Sequence, residues 1–229
     1  MDDLNRDNPY IDLHNHGQTG VASDLWQITN LYYQQALDER ENGRMYSVGL
    51  HPWHSEGIHF NLDLYRQLLS RPSIAAAGEI GLDRMKGPDP ELQLQLFLDQ
   101  ARAADMVNKP VIIHCVRSWE ELMAVKKIAH PKVPWIIHGF RGKRELALTL
   151  YSQGFLLSFG SHLLSDRQST RRAFEVVPTE AIFLETDEAD IDIRELYEEA
   201  ARLRNISLTE LRFYLADNFE KAFGTYDPS

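Results

Sequence analysis

Eight short apolar runs limit most tightly what this sequence can fold into. They are Tyr10–Leu13, Leu25–Thr29, Met45–Leu50, Ile74–Glu79, Pro110–His114, Trp135–His138, Phe155–Ser158 and Ala181–Glu185. Most are rich in Ile, Val, Leu or Ala and apolar on both faces. Strands of that kind are buried on both sides, as in parallel sheets covered by helices. The second run is ambiguous, because Asp24-Leu25-Trp26-Gln27-Ile28-Thr29 reads equally as a loop.

Helical patterns lie between the later runs. Pro90 to Val107 carries Leu92, Leu94, Leu96, Phe97 and Leu98 among Glu91, Asp99 and Arg102, with Asp89 as cap and Pro90 in the first turn. Ser118–Ala129, Lys143–Ser152 and Asp166–Val176 repeat the pattern, and Ile193–Arg204 and Leu208–Phe223 close the chain. Ser207 and Glu210 make a capping box for the last helix, and Gly224 ends it. The alternation predicts an α/β fold: a TIM-like (β/α)8 barrel, distorted, with a shortened first β/α unit. An open doubly wound sheet is the alternative, and the lack of a Gly-rich loop after the first strand lowers it. The first unit is short because only Gly17 to Asp24 separate the first two strands, too few for a crossover helix. No linker or repeat divides the chain, so one domain over residues 1–229 is expected.

Composition narrows the class. With 43% hydrophobic and 25% charged residues the chain reads as an ordinary globular protein. No apolar run approaches the ~20 residues that span a bilayer. The polar stretch from Met1 to Asn8 does not read as a signal peptide. One cysteine, Cys115, excludes an internal disulfide and suits a reducing cytoplasm. A net charge of -10 argues against coating nucleic acid through bulk charge.

Ligand-type residues recur where the strands run out. His14 and His16 are two apart in an extended segment, so both imidazoles point the same way. Glu79, His114, His138 and Asp187 stand at or just past the ends of the fourth, fifth, sixth and eighth strands. Barrel enzymes place their chemistry on that face. Four imidazoles and two carboxylates suit borderline divalent ions and are too nitrogen-rich for Ca. Six ligands exceed one four-coordinate site, which favours two ions over one.

In order along the chain, His14-x-His16, Gly78-Glu79-Ile80-Gly81-Leu82-Asp83, His114-x-x-Arg117, His138-Gly139-Phe140 and Glu185-Thr186-Asp187 resemble the signatures of the TatD family. Gly49-Leu50-His51-Pro52-Trp53-His54 resembles its Gly-x-His-Pro segment, and the tail Asn218–Phe223 fits as well. The resemblance implies a metal-dependent hydrolase of the amidohydrolase type, in a family whose members include deoxyribonucleases. Two places depart from the pattern. The stretch before His51 is short, and Glu188–Asp192 runs almost directly into a helix where the family has a longer loop. Both are rims of the expected site.

The expected enzyme is a phosphodiesterase or deoxyribonuclease acting on nucleic acid ends with one or two divalent ions (Zn, Mn, Mg, Co or Ni). His14 and His16 are expected to hold one ion with Asp187, and His114 and His138 a second, with Glu79 shared. Asp187 is the expected general base and Glu79 its catalytic partner. Arg117, three residues after a ligand, is expected to clamp a phosphate. His51 and His54 either contact substrate or the second metal shell, or belong to a turn that Pro52 and Trp53 shape. Arg84, Lys86, Arg141, Lys143 and Arg144 surround the expected mouth, with Glu188, Asp190 and Asp192 on its other side. Alternation turns Cys115 away from the ligands, so an inert packed thiol is expected. Rival readings are a related hydrolase of a small phosphoester, lactone or cyclic amide, a PHP-type phosphoesterase, and a catalytically idle metal-binding protein.

Overall fold

The computed structural model describes residues 8–17, 22–36, 44–165 and 168–225. Its strands are β1 (Tyr10–Asn15), β2 (Leu25–Tyr32), β3 (Met45–Gly49), β4 (Ile74–Asp83), β5 (Val111–Val116), β6 (Trp135–Ile137), β7 (Leu156–Phe159) and β8 (Ile182–Leu184). The helices are α1 (Tyr33–Ala36), α2 (Leu62–Leu69), α3 (Pro90–Met106), α4 (Trp119–Ala129), α5 (Arg144–Ser152), α6 (Gln168–Val176), α7 (Ile193–Arg204) and α8 (Leu208–Phe223). The eight strands follow chain order in one sheet, and a parallel bridge from Asn15 to Asp187 returns the end of β8 to β1. The architecture is a (β/α)8 barrel. Among the described residues no helix lies between β1 and β2, which is the shortened first unit.

Contacts divide the chain into a terminal unit, Met1–Ile28 with His138–Ser229, and a central unit, Thr29–Ile137. In the central unit β3, β4, β5 and β6 pair in parallel. Val48, Ala76, Ile112 and Ile113 are fully buried in these strands, which is why the runs lack polar alternation. In the terminal unit β7 pairs with β8 in parallel, and Phe155, Phe159, Phe174, Phe183 and Phe219 fill the space between strands and helices. The Tyr197 hydroxyl of α7 accepts from the Ile11 N–H at 2.8 Å, tying that helix to β1.

Three elements differ from the sequence reading. The second run is a strand, and it continues to Tyr32. β4 runs on past Glu79 to Asp83, and Ala77 pairs with Val111 while Ile80 pairs with Ile113, so β4 carries one extra residue. That bulge lies at Gly78-Glu79 and re-aims the side chains beside it. Helix α2 was absent from the reading. Asn61 caps it, accepting from the Leu64 N–H at 3.0 Å, and Tyr65, Leu68 and Leu69 form its buried face. The helix expected over Asp166–Val176 is observed from Gln168; its first two residues lie outside the described ones.

Helix α3 fixes the ends of two strands through glutamines two turns apart. Gln100 pairs with both backbone groups of Leu50, accepting from its N–H at 2.7 Å and donating to its carbonyl at 3.2 Å. Gln93 accepts from the Asp83 N–H at 2.7 Å, and its amide nitrogen donates to the Asp83 carbonyl at 3.0 Å. Strand proximity also dictates Gly81. At φ +157 its missing side chain leaves room for the His114 carbonyl of β5, which a Cβ would strike. Gly81→Ala is expected to destabilise the fold by about 3 kcal/mol, read as a lower urea midpoint with unchanged slope.

Candidate metal centre and active site

Each unit gathers its own set of ligand-type side chains. In the terminal unit the donor atoms of His14, His138 and Asp187 all lie within 4.8 Å of one another. His14 comes from β1, His138 follows β6, and Asp187 follows β8. The Asp187 carboxylate is 3.8 Å from His14 Nε2 and 3.5 Å from His16 Nε2. The rings of His14 and His138 are 4.5 Å apart. Asp187 has φ +54, a conformation that Asp and Asn tolerate better than other side chains, and its N–H donates to the His14 carbonyl at 2.9 Å. Its position relative to β1 is thereby set by the backbone.

Two further acids hold this arrangement. Asp12 is fully buried on β1 and accepts from Thr186 twice, from the N–H at 2.9 Å and from the hydroxyl at 2.7 Å. That clamp fixes the residue beside Asp187. Glu185 is also fully buried. Its Oε1 accepts from the Gly139 N–H and stands 3.6 Å from His138 Nδ1. Its Oε2 has no hydrogen-bond donor among the described residues. A buried carboxylate oxygen without a donor is costly and calls for a cation. The terminal-unit donor set therefore fits a divalent ion. Beside it a cavity of about 180 Å³ is lined by Arg141, Ser161, His162, Asp187 and Glu188 among others.

In the central unit the donor atoms of His51, Glu79 and His114 lie within 4.8 Å of one another. All three residues are buried. The Trp53 N–H donates to His51 Nδ1 at 3.1 Å, so a neutral His51 carries its proton on Nε2. That nitrogen is 3.2 Å from Glu79 Oε1 and donates to it. His114 Nε2 is 3.3 Å from Asp83 Oδ2, and its Nδ1 is 2.8 Å from Glu79 Oε1. With the Nε2 proton given to Asp83, the Nδ1 lone pair faces the Glu79 carboxylate. Two electron-rich atoms at that separation suit a shared cation, and the carboxylate behind the histidine is the usual support of a metal ligand. The backbone N–H of Glu79 donates to Asn30 Oδ1 at 2.8 Å.

Asp83 is held by more than His114. Burial pushes its carboxyl up, but donation from the Trp53 indole at 2.6 Å, the Met85 N–H at 2.7 Å and His114 outweighs this and keeps it below the ordinary range. Asp83 is therefore an anion throughout the neutral range. Cys115 is buried, and burial pushes its thiol up to about 12, in keeping with an inert thiol.

The sequence reading paired His138 with His114; within the terminal unit His138 stands against His14 and Asp187, and within the central unit His114 stands against Glu79 and His51. His51 is thus inside a ligand cluster. His54 is exposed, and its ring packs against Tyr32 with centroids 5.0 Å apart. Arg117 is exposed at φ +53, with Nη1 3.5 Å from Met85 Sδ. Arg84 pairs with Glu121 of α4 at the rim. Asp12, Asp83, Glu185 and Asn30 were missed as site residues. Their signal was a polar residue in or next to an apolar strand run, and Asp12 also stands two before His14.

Comparison with known proteins decides the family. The family model described as TatD related DNase matches residues 5–224. The chain belongs to this family. It is 32% identical over 229 residues to the uncharacterized metal-dependent hydrolase YjjV of Escherichia coli K12, covering 92% of this chain and 86% of that protein. It is 31% identical over 179 residues to the 3'-5' ssDNA/RNA exonuclease TatD of Pantoea ananatis, covering 74% and 69%. The crystal structure of Escherichia coli YjjV superposes with TM-score 0.83 at 24% identity, covering 96% of this chain and all of the other. The protein is a TatD-family metal-dependent hydrolase with the family's barrel fold.

Asp12 gives this unit a pH dependence. Burial pushes its carboxyl from 3.8 up to about 7, against the lowering effect of the Thr186 hydrogen bonds. A carboxyl with a raised folded value binds its proton more tightly in the folded state. Its contribution to stability is complete below 3.8 and is lost as pH rises through about 7. Relative to Asp12→Asn, the metal-free wild type is expected to lose stability across that window. Urea unfolding of both proteins at about pH 5 and about pH 8 measures it; equal pH dependence in the two would remove the assignment.

Proposed function

We propose that this chain is a metal-dependent phosphodiesterase acting on nucleic acid ends, built as one hydrolase domain over residues 1–229. The observation that carries the reading is Glu185 Oε2, buried without a donor among the described residues in a carboxylate that stands beside His138 of the His14–His138–Asp187 group. Up to two divalent ions, among Zn, Mn, Mg, Co and Ni, are assigned to His14, His16, His138 and Asp187 and to Glu79 and His114. Such ions supply Lewis acidity and make water acidic enough to lose a proton near neutral pH.

The chain's own residues do the rest. Asp187 accepts the proton of the attacking water, and its backbone is fixed by its N–H donating to the His14 carbonyl and by the Asp12–Thr186 clamp beside it. His51 holds Glu79 through its Nε2 proton, and Asp83 holds His114. Arg117 donates to a phosphate oxygen from the end of β5. What the relatives' names say of single-stranded DNA and RNA supports a nucleic acid substrate here. No helix among the described residues is long and apolar enough to cross a membrane. A reducing compartment such as the cytoplasm suits the single buried cysteine.

Asp187→Asn keeps a side chain that tolerates φ +54 and removes the base. It is expected to lower hydrolysis of a short oligonucleotide by about 100-fold or more with the fold intact. Near-normal turnover with normal metal content would remove Asp187 from the mechanism. Chelation is expected to abolish hydrolysis and lower the melting temperature, both restored by added metal.

The cations at this site are few, and polyanion affinity grows with the number of phosphates neutralised. Cleavage efficiency is therefore expected to change little with oligonucleotide length and weakly with salt. A length series at several salt concentrations checks this, and a steep climb with length that collapses in salt would contradict it.

A further inference from the structure

An indole stands in the open beside the central ligand cluster. Trp53 is 37% exposed, whereas Trp135 of β6 is 1% exposed in the core. Yet both N–H groups of Trp53 are held. Its indole N–H donates to Asp83 at 2.6 Å and its backbone N–H to His51 at 3.1 Å. Its ring meets those of His51 and His114 edge-on, with centroids 4.9 and 5.3 Å away.

The loop that brings Lys86 to this indole is equally fixed. The amide nitrogen of buried Gln93 lies within hydrogen-bonding distance of three loop carbonyls, those of Asp83, Lys86 and Pro88. Gly87 packs so close to the Pro52 carbonyl that a Cβ would come within 2.7 Å of it. The loop thereby holds Lys86 with its ammonium 3.5 Å from the indole centroid, and exposed Met85 against Arg117. Among the described residues neither Lys86 nor Arg117 has a carboxylate partner.

We propose that Trp53 is a stacking platform for one unpaired nucleobase, next to the phosphate that Lys86 and Arg117 contact. The proposal rests on the phosphodiesterase reading and specifies its substrate. Magnitudes decide the exchange on the indole face. An exposed ammonium over an indole is worth a factor of about 2 to 5. A nucleobase stacked on an aromatic side chain is worth a factor of about 5 to 150. The base displaces Lys86, whose flexible ammonium turns to the neighbouring phosphate. A base inside a duplex has both faces covered by its neighbours, so the platform selects a single strand or a frayed end.

The test compares a thymidine dinucleotide with the same dinucleotide made abasic at one position or the other. Metal-loaded wild type is expected to show about tenfold or greater preference in kcat/KM for the base at one position. Trp53→Leu is expected to abolish that preference, and Trp53→Phe to retain much of it, since phenyl stacks but cannot donate to Asp83. A separate readout uses the uncleavable methylphosphonate dinucleotide. It is expected to quench tryptophan fluorescence in the wild type and not in Trp53→Leu, and its abasic form to quench neither. Equal kcat/KM for base-bearing and abasic substrates overturns the proposal, as does a preference that survives in Trp53→Leu. Loss in Trp53→Phe equal to that in Trp53→Leu assigns the effect to the Asp83 bond and also overturns it. If no phosphodiester is hydrolysed, the functional reading fails, and the quenching experiment still decides on the platform.

Discussion

A buried charge must have a partner, and much of this molecule is arranged around that requirement. Asp12, Glu79, Asp83 and Glu185 are all at most 5% exposed in a protein whose strands are mostly apolar. Each solves the problem differently. Asp12 takes two donors from Thr186 and holds its proton up to about 7. Asp83 gathers an indole, a backbone N–H and an imidazole, and stays ionised. Glu79 faces two imidazoles. Glu185 is left with one oxygen lacking a donor among the described residues. Four carboxyls on or next to strands thus divide into a proton holder, a fixed anion and two acids whose surroundings fit a cation.

The support behind these acids is mostly helical amide and backbone. Gln100 sets Leu50, and through it the start of the turn that presents His51. Gln93 sets Asp83 and the loop after it. Buried amides suit this task because each offers a donor and an acceptor without a charge to be neutralised. Aromatic edges complete the packing around His51 and His114.

The eight apolar runs were legible because doubly buried parallel strands leave a plain mark in composition, and the candidate ligands stood out because each breaks such a run at its end. Glu79 reads in sequence as the last residue of its strand. In the structure β4 continues to Asp83, since a bulge leaves no compositional trace. Asp83 and Asp12 were passed over because each acts through a neighbour, Asp83 by holding His114 and Asp12 by clamping Thr186 beside Asp187. Helix α2 hid behind the turn-forming residues Gly57 and Asn61, although Tyr65, Leu68 and Leu69 carry its buried stripe. The grouping of His138 with His14 was beyond reach, because it depends on where side chains arrive in space and sequence order does not report that.

The seven-residue interval between Gln93 and Gln100 makes α3 a ruler. Both marks must fall on one side of the helix for the β3 and β4 loops to be gripped together. Chain length between them is therefore locked, since one added residue would rotate one mark about 100° away from its loop. Beyond Gln100 a third mark follows: Asp105 accepts from the Lys132 and Val133 N–H groups at 2.7 and 3.2 Å, so the far end of the helix grips the loop before β6. Descendants of this sequence can therefore change the letters of the helix between Gln93 and Asp105 but not their count.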